Sequence, residues 1–300
     1  MNNPIICVGG VLWETTFHVD EIPGRGIKLL PRSARQLASG MAPSAAAAIA
    51  RLGGGVELWA LLGADANGAA CLANLAEDGI GTTQLRTLPQ GRTPFSTVLI
   101  DPAGERLVVP FFDPELFAQA VPLPLERVAQ AAAVLADVRW QAGAEALLRH
   151  ARAHGVPAVL DADFAPLPVL HALMPLADHV LLSETALEVL CPGQPPAAAL
   201  PALAATLPAA QVVGVTLGEH GALIWQPTAG LSHHPTLRIT PVDTLNAGDI
   251  WHGAYVLGLV RGMPLAERVR FANVAAAIKC ERPGARLGAP SMAEVMARLG

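Results

Sequence analysis

The hydrophobic positions of this chain form short continuous runs that alternate with longer Ala- and Leu-rich stretches. Short apolar runs that end at Gly, Asp or Ser are typical of parallel strands buried on both faces. The runs with this pattern cover residues 5–8, 56–62, 133–138, 158–160, 180–182, 212–217 and 222–225. The stretches between most of them predict helices at 44–52, 69–77, 142–154 and 196–206. This alternation predicts an α/β fold with a parallel sheet between layers of helices.

The C-terminal part of the chain predicts three successive helices, at 248–260, 265–280 and 291–299. Ser291 and Glu294 have the spacing of a capping box, which marks the start of the last helix. No repeat or low-complexity linker interrupts the pattern, so we expect a single domain over residues 1–300.

Two segments, about 12–38 and 94–112, do not fit the sheet, because they mix β-branched and charged residues with Gly and Pro. Residues 101–104 predict a tight turn between strands at 96–100 and 107–109. We interpret the two segments as a small β-flap inserted in the domain. The flap is either a cover over a binding site or an exposed hairpin without a gating role.

Composition narrows the function classes. The 300 residues are 52% hydrophobic, enough for a large core, and the net charge of −5 without a basic cluster argues against nucleic-acid binding. The four cysteines are widely separated and form no Cys-x-x-Cys pair, as expected for reduced thiols. Since the N-terminus lacks a basic region and no apolar run is long enough to span a membrane, we expect a cytoplasmic protein without a membrane partner.

The stretch from Asp243 to Asp249 is the strongest candidate for chemistry, because it leads directly into an apolar helical pattern. Its Ala-Gly pair lets the backbone approach a ligand closely, and the helix start directs unpaired N–H groups at that ligand. The turn therefore predicts an anion site. Asp249 would then accept a proton from an attacking hydroxyl, although a helix cap is the alternative interpretation.

The motif Asp-Thr-x-x-Ala-Gly-Asp at 243–249 resembles the C-terminal signature of the PfkB-type, or ribokinase-like, carbohydrate kinases. The segments 40–44, 62–68 and 215–221 are similar to further blocks of that family, in the family's order. The resemblance implies a ribokinase-like three-layer sandwich with a mostly parallel central sheet and a small β-lid. It also implies ATP and Mg²⁺ as cofactors, a monovalent cation (K⁺) as a further candidate, and a homodimer formed through the lid.

Roles follow from this resemblance. Asp249 would be the general base, with the N–H groups of Asn246, Ala247 and Gly248 holding the charge on the transferred phosphoryl group. Asp243 would orient the turn or a monovalent cation. The residues on the nucleotide side would be Thr216, Gly218, Gly221, Asn273 and Ala276.

Several positions depart from the family pattern. Asn246 replaces the usual first Gly of the anion turn, so we expect a retained but slightly reshaped anion site. The Asn-x-x-Glu element of the metal shell is Ser183 to Ala186 here, which leaves Glu184 as a metal ligand acting through water. On the sugar side, Glu14 stands in place of Asp, and Gly40 and Ser44 belong to an altered block.

The segments 135–140, 159–163, 183–184 and 278–288 resemble the sulfofructose kinase branch of the family. Arg139, after a strand, and Lys28, on the flap, would then bind an anionic group. The alternative is that Arg139 pairs with Asp161 or Asp163 inside the protein. Pro110 weakens the comparison, because this branch has a polar flap residue there.

We therefore predict ATP-dependent phosphorylation of a sugar hydroxyl. The likeness to the sulfofructose kinase branch favours an anionic ketose, such as sulfofructose, as the substrate. A kinase for a neutral sugar or nucleoside is one alternative, and a catalytically weak sugar- or nucleotide-binding regulator is another. A dinucleotide oxidoreductase is disfavoured, because Gly9-Gly10 is followed by Val-Leu-Trp and no G-x-G-x-x-G motif follows the first strand.

Overall fold

The computed structural model describes residues 3–300 and contains two β-sheets. Its strands are β1 Ile5–Val8, β2 Leu12–His18, β3 Ser33–Ser39, β4 Val56–Gly63, β5 Gly81–Leu88, β6 Phe95–Ile100, β7 Arg106–Phe111, β8 Ala133–Asp137, β9 Ala158–Ala162, β10 His179–Ser183, β11 Val212–Thr216, β12 Ala222–Gln226 and β13 Gly230–His234. The nine-stranded central sheet has the order β13-β12-β11-β10-β9-β8-β1-β4-β5. The strands from β11 to β5 in this order are parallel, which confirms the mostly parallel sheet.

One of the predicted strands runs in the opposite direction. Residues 222–225 were grouped with the parallel strands, but β12 pairs antiparallel with β11, and β13 pairs antiparallel with β12. Parallel strands need a crossover of a dozen or more residues, whereas only Leu217 to Gly221 separate β11 from β12. The short connection therefore reverses the chain direction.

Each predicted helical stretch overlaps a helix of the structure. The helices are α1 Met41–Arg51, α2 Ala66–Ala76, α3 Pro114–Phe117, α4 Gln141–Ala153, α5 Leu167–Leu173, α6 Glu184–Leu190, α7 Pro196–Ala205, α8 Ala247–Val260, α9 Leu265–Cys280 and α10 Met292–Leu299. The capping box of α10 forms as predicted between Ser291 and Glu294. Helices α3, α5 and α6 were missed, because two turns or fewer contain too few positions to show a helical period. No helix of the described residues is long and apolar enough to cross a membrane.

Two hydrophobic cores lie on opposite faces of the central sheet. On β1, Ile5 and Cys7 face the core that includes α1, α8 and α9, whereas Ile6 and Val8 face the core that includes α4, α5 and α7. This division follows from the alternation of side chains along a strand. The result is the predicted three-layer arrangement, in which α1 and α8 lie on the same face of the sheet.

The second sheet has the order β3-β2-β6-β7 and is called the small sheet below. Strands β6 and β7 are joined at Asp101, whose carboxylate accepts the N–H groups of Ala103 and Glu105 at 2.9 and 3.0 Å. Gly104 completes the turn with φ 83°. The outward side chains of β7 are exposed, so the small sheet has an open apolar surface.

Candidate active site

The candidate site lies along the carboxyl ends of the parallel strands. Strands β4 and β5 lie on one side of β1 and β8 to β11 on the other, so the strand order reverses at β1 and β8. Open α/β sheets bind ligands at such a switch point. Asp137 and Asp161 are register partners at the ends of β8 and β9, and Ser183 and Thr216 at the ends of β10 and β11.

The predicted anion turn forms immediately before α8. Asn246, which replaces the usual Gly of the turn, adopts the left-handed conformation with φ 61°. The N–H of Ala247, which was predicted to bind the phosphoryl group, donates instead to the Thr244 carbonyl at 3.2 Å, and helix α8 begins there. Among the described residues, the N–H groups of Gly248 and Asp249 have no protein acceptor. These two amides, with the positive end of the helix dipole, are available for an anion.

Asp249 is partly buried in the first turn of α8, where the Asn246 side-chain amide donates to its Oδ2 at 2.6 Å. Burial and, next, the negative charge of Asp161 raise the pKa of Asp249 to about 8. A carboxyl with this pKa is ionised, and so able to take a proton, at mildly alkaline pH. The sequence did not predict this second role of Asn246, which holds the Asp249 carboxylate as well as forming the turn.

A buried pair, Asp161 and His252, lies beside Asp249. His252 Nδ1 is 3.1 Å from Asp161 Oδ2 and 2.8 Å from the Gly248 carbonyl. Burial lowers the pKa of His252, but the charge of Asp161 and the hydrogen bonds outweigh it, so the net shift is upward. The sequence interpretation placed neither side chain beside Asp249. The available signals were the position of Asp161 at a strand end and that of His252 three residues after Asp249.

Asp137 holds three backbone segments together next to the predicted sugar-side turn at Gly40. Its carboxylate accepts the N–H groups of Gly10 at 3.1 Å, Ala42 at 3.1 Å and Arg139 at 2.7 Å. Burial raises the pKa of Asp137 to about 7, in spite of these hydrogen bonds. Gly40 has φ 123°, and a Cβ there would lie 2.2 Å from the Gly10 carbonyl oxygen. A side chain at residue 40 is therefore excluded.

The other predicted sugar-side residues divide into two groups. Glu14 is buried on β2, where it accepts from Thr16 Oγ1 at 3.2 Å and Ser96 Oγ at 3.5 Å, and burial raises its pKa. Ser44 is buried on α1, and its hydroxyl has no partner among the described residues. Lys28 is exposed in the connection between β2 and β3. The structure thus buries Glu14 and Ser44 and leaves Lys28 on the surface.

Arg139 forms the internal pairing that the sequence left open as an alternative. Its Nη2 lies 3.1 Å from Asp163 Oδ2, and its Nη1 donates to the Phe164 carbonyl at 2.8 Å. The guanidinium also lies over the Phe112 ring, 5.8 Å from its centroid. Three contacts therefore occupy the group that was predicted to bind an anionic substituent.

Of the predicted nucleotide-side residues, Thr216, Gly218 and Gly221 lie at or just after the end of β11, whereas Asn273 and Ala276 lie on α9. Gly218 and Gly221 have φ 53° and 83°, and a Cβ on Gly221 would lie 2.1 Å from the His234 carbonyl oxygen. Ala276 is partly exposed on α9. Asn273 is buried and accepts from Trp251 Nε1 at 2.7 Å while donating to two backbone carbonyls. Its amide has a structural role, and a nucleotide contact by this side chain stays a prediction.

Asp243 and Glu184 have different surroundings. Asp243 is buried and bonded to the N–H groups of Leu245, Gly284 and Ala285 and to Lys279. Glu184 is exposed in the first turn of α6. The described residues contain no cluster of three or more His, Cys, Asp or Glu side chains that could hold a metal ion.

Comparison with known proteins assigns the family. Residues 3–292 match the pfkB family of carbohydrate kinases. Ribokinase from Haemophilus influenzae is 27% identical over 86% of this chain and 85% of that protein. Ribokinase from Bacillus subtilis is 26% identical over 97% of both.

Solved structures agree with this fold. A ribokinase candidate from Agrobacterium tumefaciens is 39% identical, with a TM-score of 0.96 over 100% of this chain and 98% of that one. Arabidopsis thaliana ribokinase, complexed with ribose and ATP, is 23% identical, with a TM-score of 0.84 over 100% and 99%.

These relatives are named ribokinases, and they do not support the predicted placement in the sulfofructose kinase branch. The general prediction is confirmed by the family match over nearly the whole chain and by the ribokinase-like fold. The chain belongs to the pfkB family of carbohydrate kinases and is an ATP-dependent sugar kinase.

Proposed function

We propose that the acceptor is a hydroxyl of a neutral sugar such as ribose. The observation that carries this proposal is the charge of the site, where Asp137 and Asp161 are buried, Asp249 lies partly buried beside Asp161, and Arg139 is already paired. A further negative charge on the substrate would be repelled by these carboxylates. The names of the relatives, which are ribokinases, support the same choice.

In the proposed mechanism, Asp249 would accept the proton of the sugar hydroxyl as that oxygen attacks the terminal phosphorus of ATP, and ADP would leave as the bond from that phosphorus to the bridging oxygen breaks. Asn246 holds the carboxylate in place through its 2.6 Å hydrogen bond. The free N–H groups of Gly248 and Asp249 stabilise the charge that develops on the transferred phosphoryl group. On the sugar side, Glu14 and the unpartnered hydroxyl of Ser44 would form hydrogen bonds with substrate hydroxyl groups, next to the tight turn at Gly40.

The nucleotide would lie at the end of β11, against Thr216, Gly218, Gly221 and Ala276. Magnesium neutralises phosphate charge in this class of reaction, and it usually keeps several waters and few protein ligands. An exposed Glu184 beside the strand ends fits such a site, as a ligand that acts through water. The lack of a preformed cluster among the described residues is consistent with metal brought by the nucleotide.

An anionic sugar is the second candidate, because the Arg139 pair is only partly buried. The side chains of Arg139 and Asp163 are 27% and 35% exposed, so the guanidinium could exchange its partner for a substrate group. Lys28 would supply a second positive charge if the segment between β2 and β3 closed over the sugar.

We also propose that two copies associate through the small sheet. Its exposed apolar side chains include Phe95, Leu107, Val108, Val109 and Phe111. Strand β7 is an edge strand with unpaired backbone groups, a type of surface that readily pairs with another chain. A second copy of the chain would cover this surface in a symmetric contact.

The substrate proposal is tested by measuring ATP consumption with ribose, fructose, a nucleoside, and carboxylated, phosphorylated and sulfonated sugars. The proposal expects the highest kcat/KM with a neutral sugar. A preference of about tenfold or more for an anionic sugar would reject it in favour of the second candidate.

A further inference from the structure

Lys279, near the end of α9, is completely buried, and its ammonium contacts Asp243 through two different atoms. Lys279 Nζ lies 3.2 Å from Asp243 Oδ1 and donates to the Asp243 backbone carbonyl. Lysine is almost never fully buried unless it is paired. Burial lowers the pKa of Lys279, and the charge of Asp243 opposes that shift.

The contacts of Asp243 connect this lysine to the turn that precedes α8. The Asp243 carboxylate accepts the N–H groups of Leu245 at 2.8 Å and of Gly284 and Ala285 at 2.9 Å. The N–H groups of Val242 and Asp243 donate to the Cys280 carbonyl. Burial alone would raise the pKa of Asp243, but the charge of Lys279 and these amides outweigh it and lower the pKa.

The family resemblance implied a monovalent cation next to Asp243, and the residues found there do not fit one. A hard cation is bound by carboxylate and carbonyl oxygens. Here the carboxylate and the carbonyl oxygen of Asp243 already contact an ammonium group, and a second positive charge at this distance would be repelled. Ammonium and K⁺ carry the same charge and have similar sizes.

We propose that the Lys279 ammonium takes the place of the monovalent cation, so that this kinase has a built-in cation and does not respond to K⁺. Lysine offers three donors and no acceptor, so it can bind a carboxylate and a carbonyl together as a free cation does. Unlike a free cation, it is covalently attached and is present at any salt concentration.

Lys279 acts through the turn and does not touch the reacting atoms, so it is a positioning residue. It holds Asp243 three residues before Asn246, whose left-handed backbone starts α8. The amides of Gly248 and Asp249 follow directly. A neutral residue at 279 would leave the Asp243 carboxylate and carbonyl without their cation and loosen the anion site.

The test compares the wild-type protein in KCl and in NaCl at equal ionic strength. Turnover and melting temperature should be the same in the two salts. A clear activation or stabilisation of the wild-type protein by KCl would overturn the proposal, and this comparison needs no variant.

The variant Lys279→Ala opens space for a cation, whereas Lys279→Met removes the charge but keeps the side-chain volume. In NaCl, Lys279→Ala should lose about tenfold or more in turnover, and KCl should restore much of it. KCl should also raise the melting temperature of this variant by about 2 °C or more relative to NaCl. In Lys279→Met, KCl should change neither the turnover nor the melting temperature relative to NaCl. A folded Lys279→Ala protein that does not respond to KCl would contradict the proposal.

The inference deepens the site proposed above, yet its failure can be told from failure of the proposed function. The melting measurements need neither sugar nor ATP. A wrong substrate would abolish turnover in every salt and leave the melting response to KCl unchanged.

Discussion

His252 Nδ1 lies 3.1 Å from the Oδ2 atom of Asp161, and both side chains are buried beside Asp249. After burial, the charge of Asp161 is the largest cause of the raised pKa of Asp249, whereas His252 opposes it. The acid and the imidazole therefore act on the proposed base in opposite directions. Substitution of Asp161 or of His252 should therefore shift the pKa of Asp249 in opposite directions.

Activity should decrease as the pH falls through about 8, because a protonated Asp249 cannot accept the hydroxyl proton. The charged groups that act on it are Asp161 on β9, Asp163 just after β9 and His252 on its own helix, and Asp137 lies opposite Asp161 at the end of β8. Since the charges of its neighbours act on the Asp249 carboxyl, the profile reports Asp249 in this surrounding and not an isolated group. Asp161→Asn removes a repelling charge and should move the acid limb of kcat/KM to lower pH.

The companion variant His252→Gln should move the same limb to higher pH, because it removes the imidazole that lowers the pKa of Asp249. Stopped assays of kcat/KM from about pH 5 to about pH 10, a range that brackets the expected pKa of Asp249, would measure both shifts. Glu145→Gln, on the surface of α4, is the control and should leave the profile in place. Shifts of both variants in one direction would show that the pair has only a structural role.

Asp249→Asn should reduce kcat by about 10²- to 10⁴-fold, as expected for loss of a general base. The same change should stabilise the folded protein at neutral pH. Folding raises the pKa of Asp249 from 3.8 to about 8, so its ionised form costs stability, and the cost grows as pH rises from the unfolded to the folded pKa. Thermal melts should thus show little difference at pH 4 and a higher melting temperature for the variant at pH 8. A variant less stable than wild type at pH 8 would contradict the burial of an unfavourable charge.

Gly40→Ala should destabilise the protein by about 2 to 4 kcal/mol, because the new Cβ would meet the Gly10 carbonyl oxygen at 2.2 Å. The control Gly79→Ala also has a positive φ, 72°, but its Cβ would have no neighbour within 4 Å. Its cost should be about 1 kcal/mol, the strain of the backbone alone. Urea unfolding of the two variants measures the difference, and equal losses would show that the contact with Gly10 relaxes easily.

Arg139→Ala separates the two substrate candidates. If Arg139 serves only to pair with Asp163, its loss should reduce kcat/KM by a similar small factor for every sugar, about 1 kcal/mol or less for a partly exposed ion pair. If it binds an anionic group, the loss for an anionic sugar should be about 1.5 to 3 kcal/mol larger than for ribose. Arg149→Ala is the matched control, because Arg149 is an exposed arginine on α4 that also pairs with a carboxylate.

Val109→Lys should weaken self-association, because Val109 is 57% exposed on β7, within the apolar surface of the small sheet. Placing a charge in a buried contact should raise the dissociation constant by about tenfold or more. Met296→Lys, at a site 52% exposed on α10, is the control and should leave association unchanged. Light scattering over a range of protein concentrations distinguishes the outcomes. A wild-type protein that stays monomeric at all concentrations would remove the basis for the proposed dimer.

Elements with a strong local pattern could be predicted from the sequence. The apolar runs at β1 and β8 were found because parallel strands buried on both faces are apolar throughout. Strand β5, with Thr, Gln and Arg, and strand β13, with Ser and His, were missed. Both are edge strands of the central sheet and need not be apolar, so no run marked them.

The sequence by itself determined the fold class, the family and the candidate base, because these depend on periodic apolar positions and on a contiguous motif that ends in Asp249. Only the tertiary structure decided that Asp161 and His252 lie beside that base, that Arg139 is paired with Asp163, and that Lys279 supplies a charge to Asp243. These contacts join residues far apart in the chain. Strand order and helix packing bring them together, and no local pattern records which distant charges will be buried side by side.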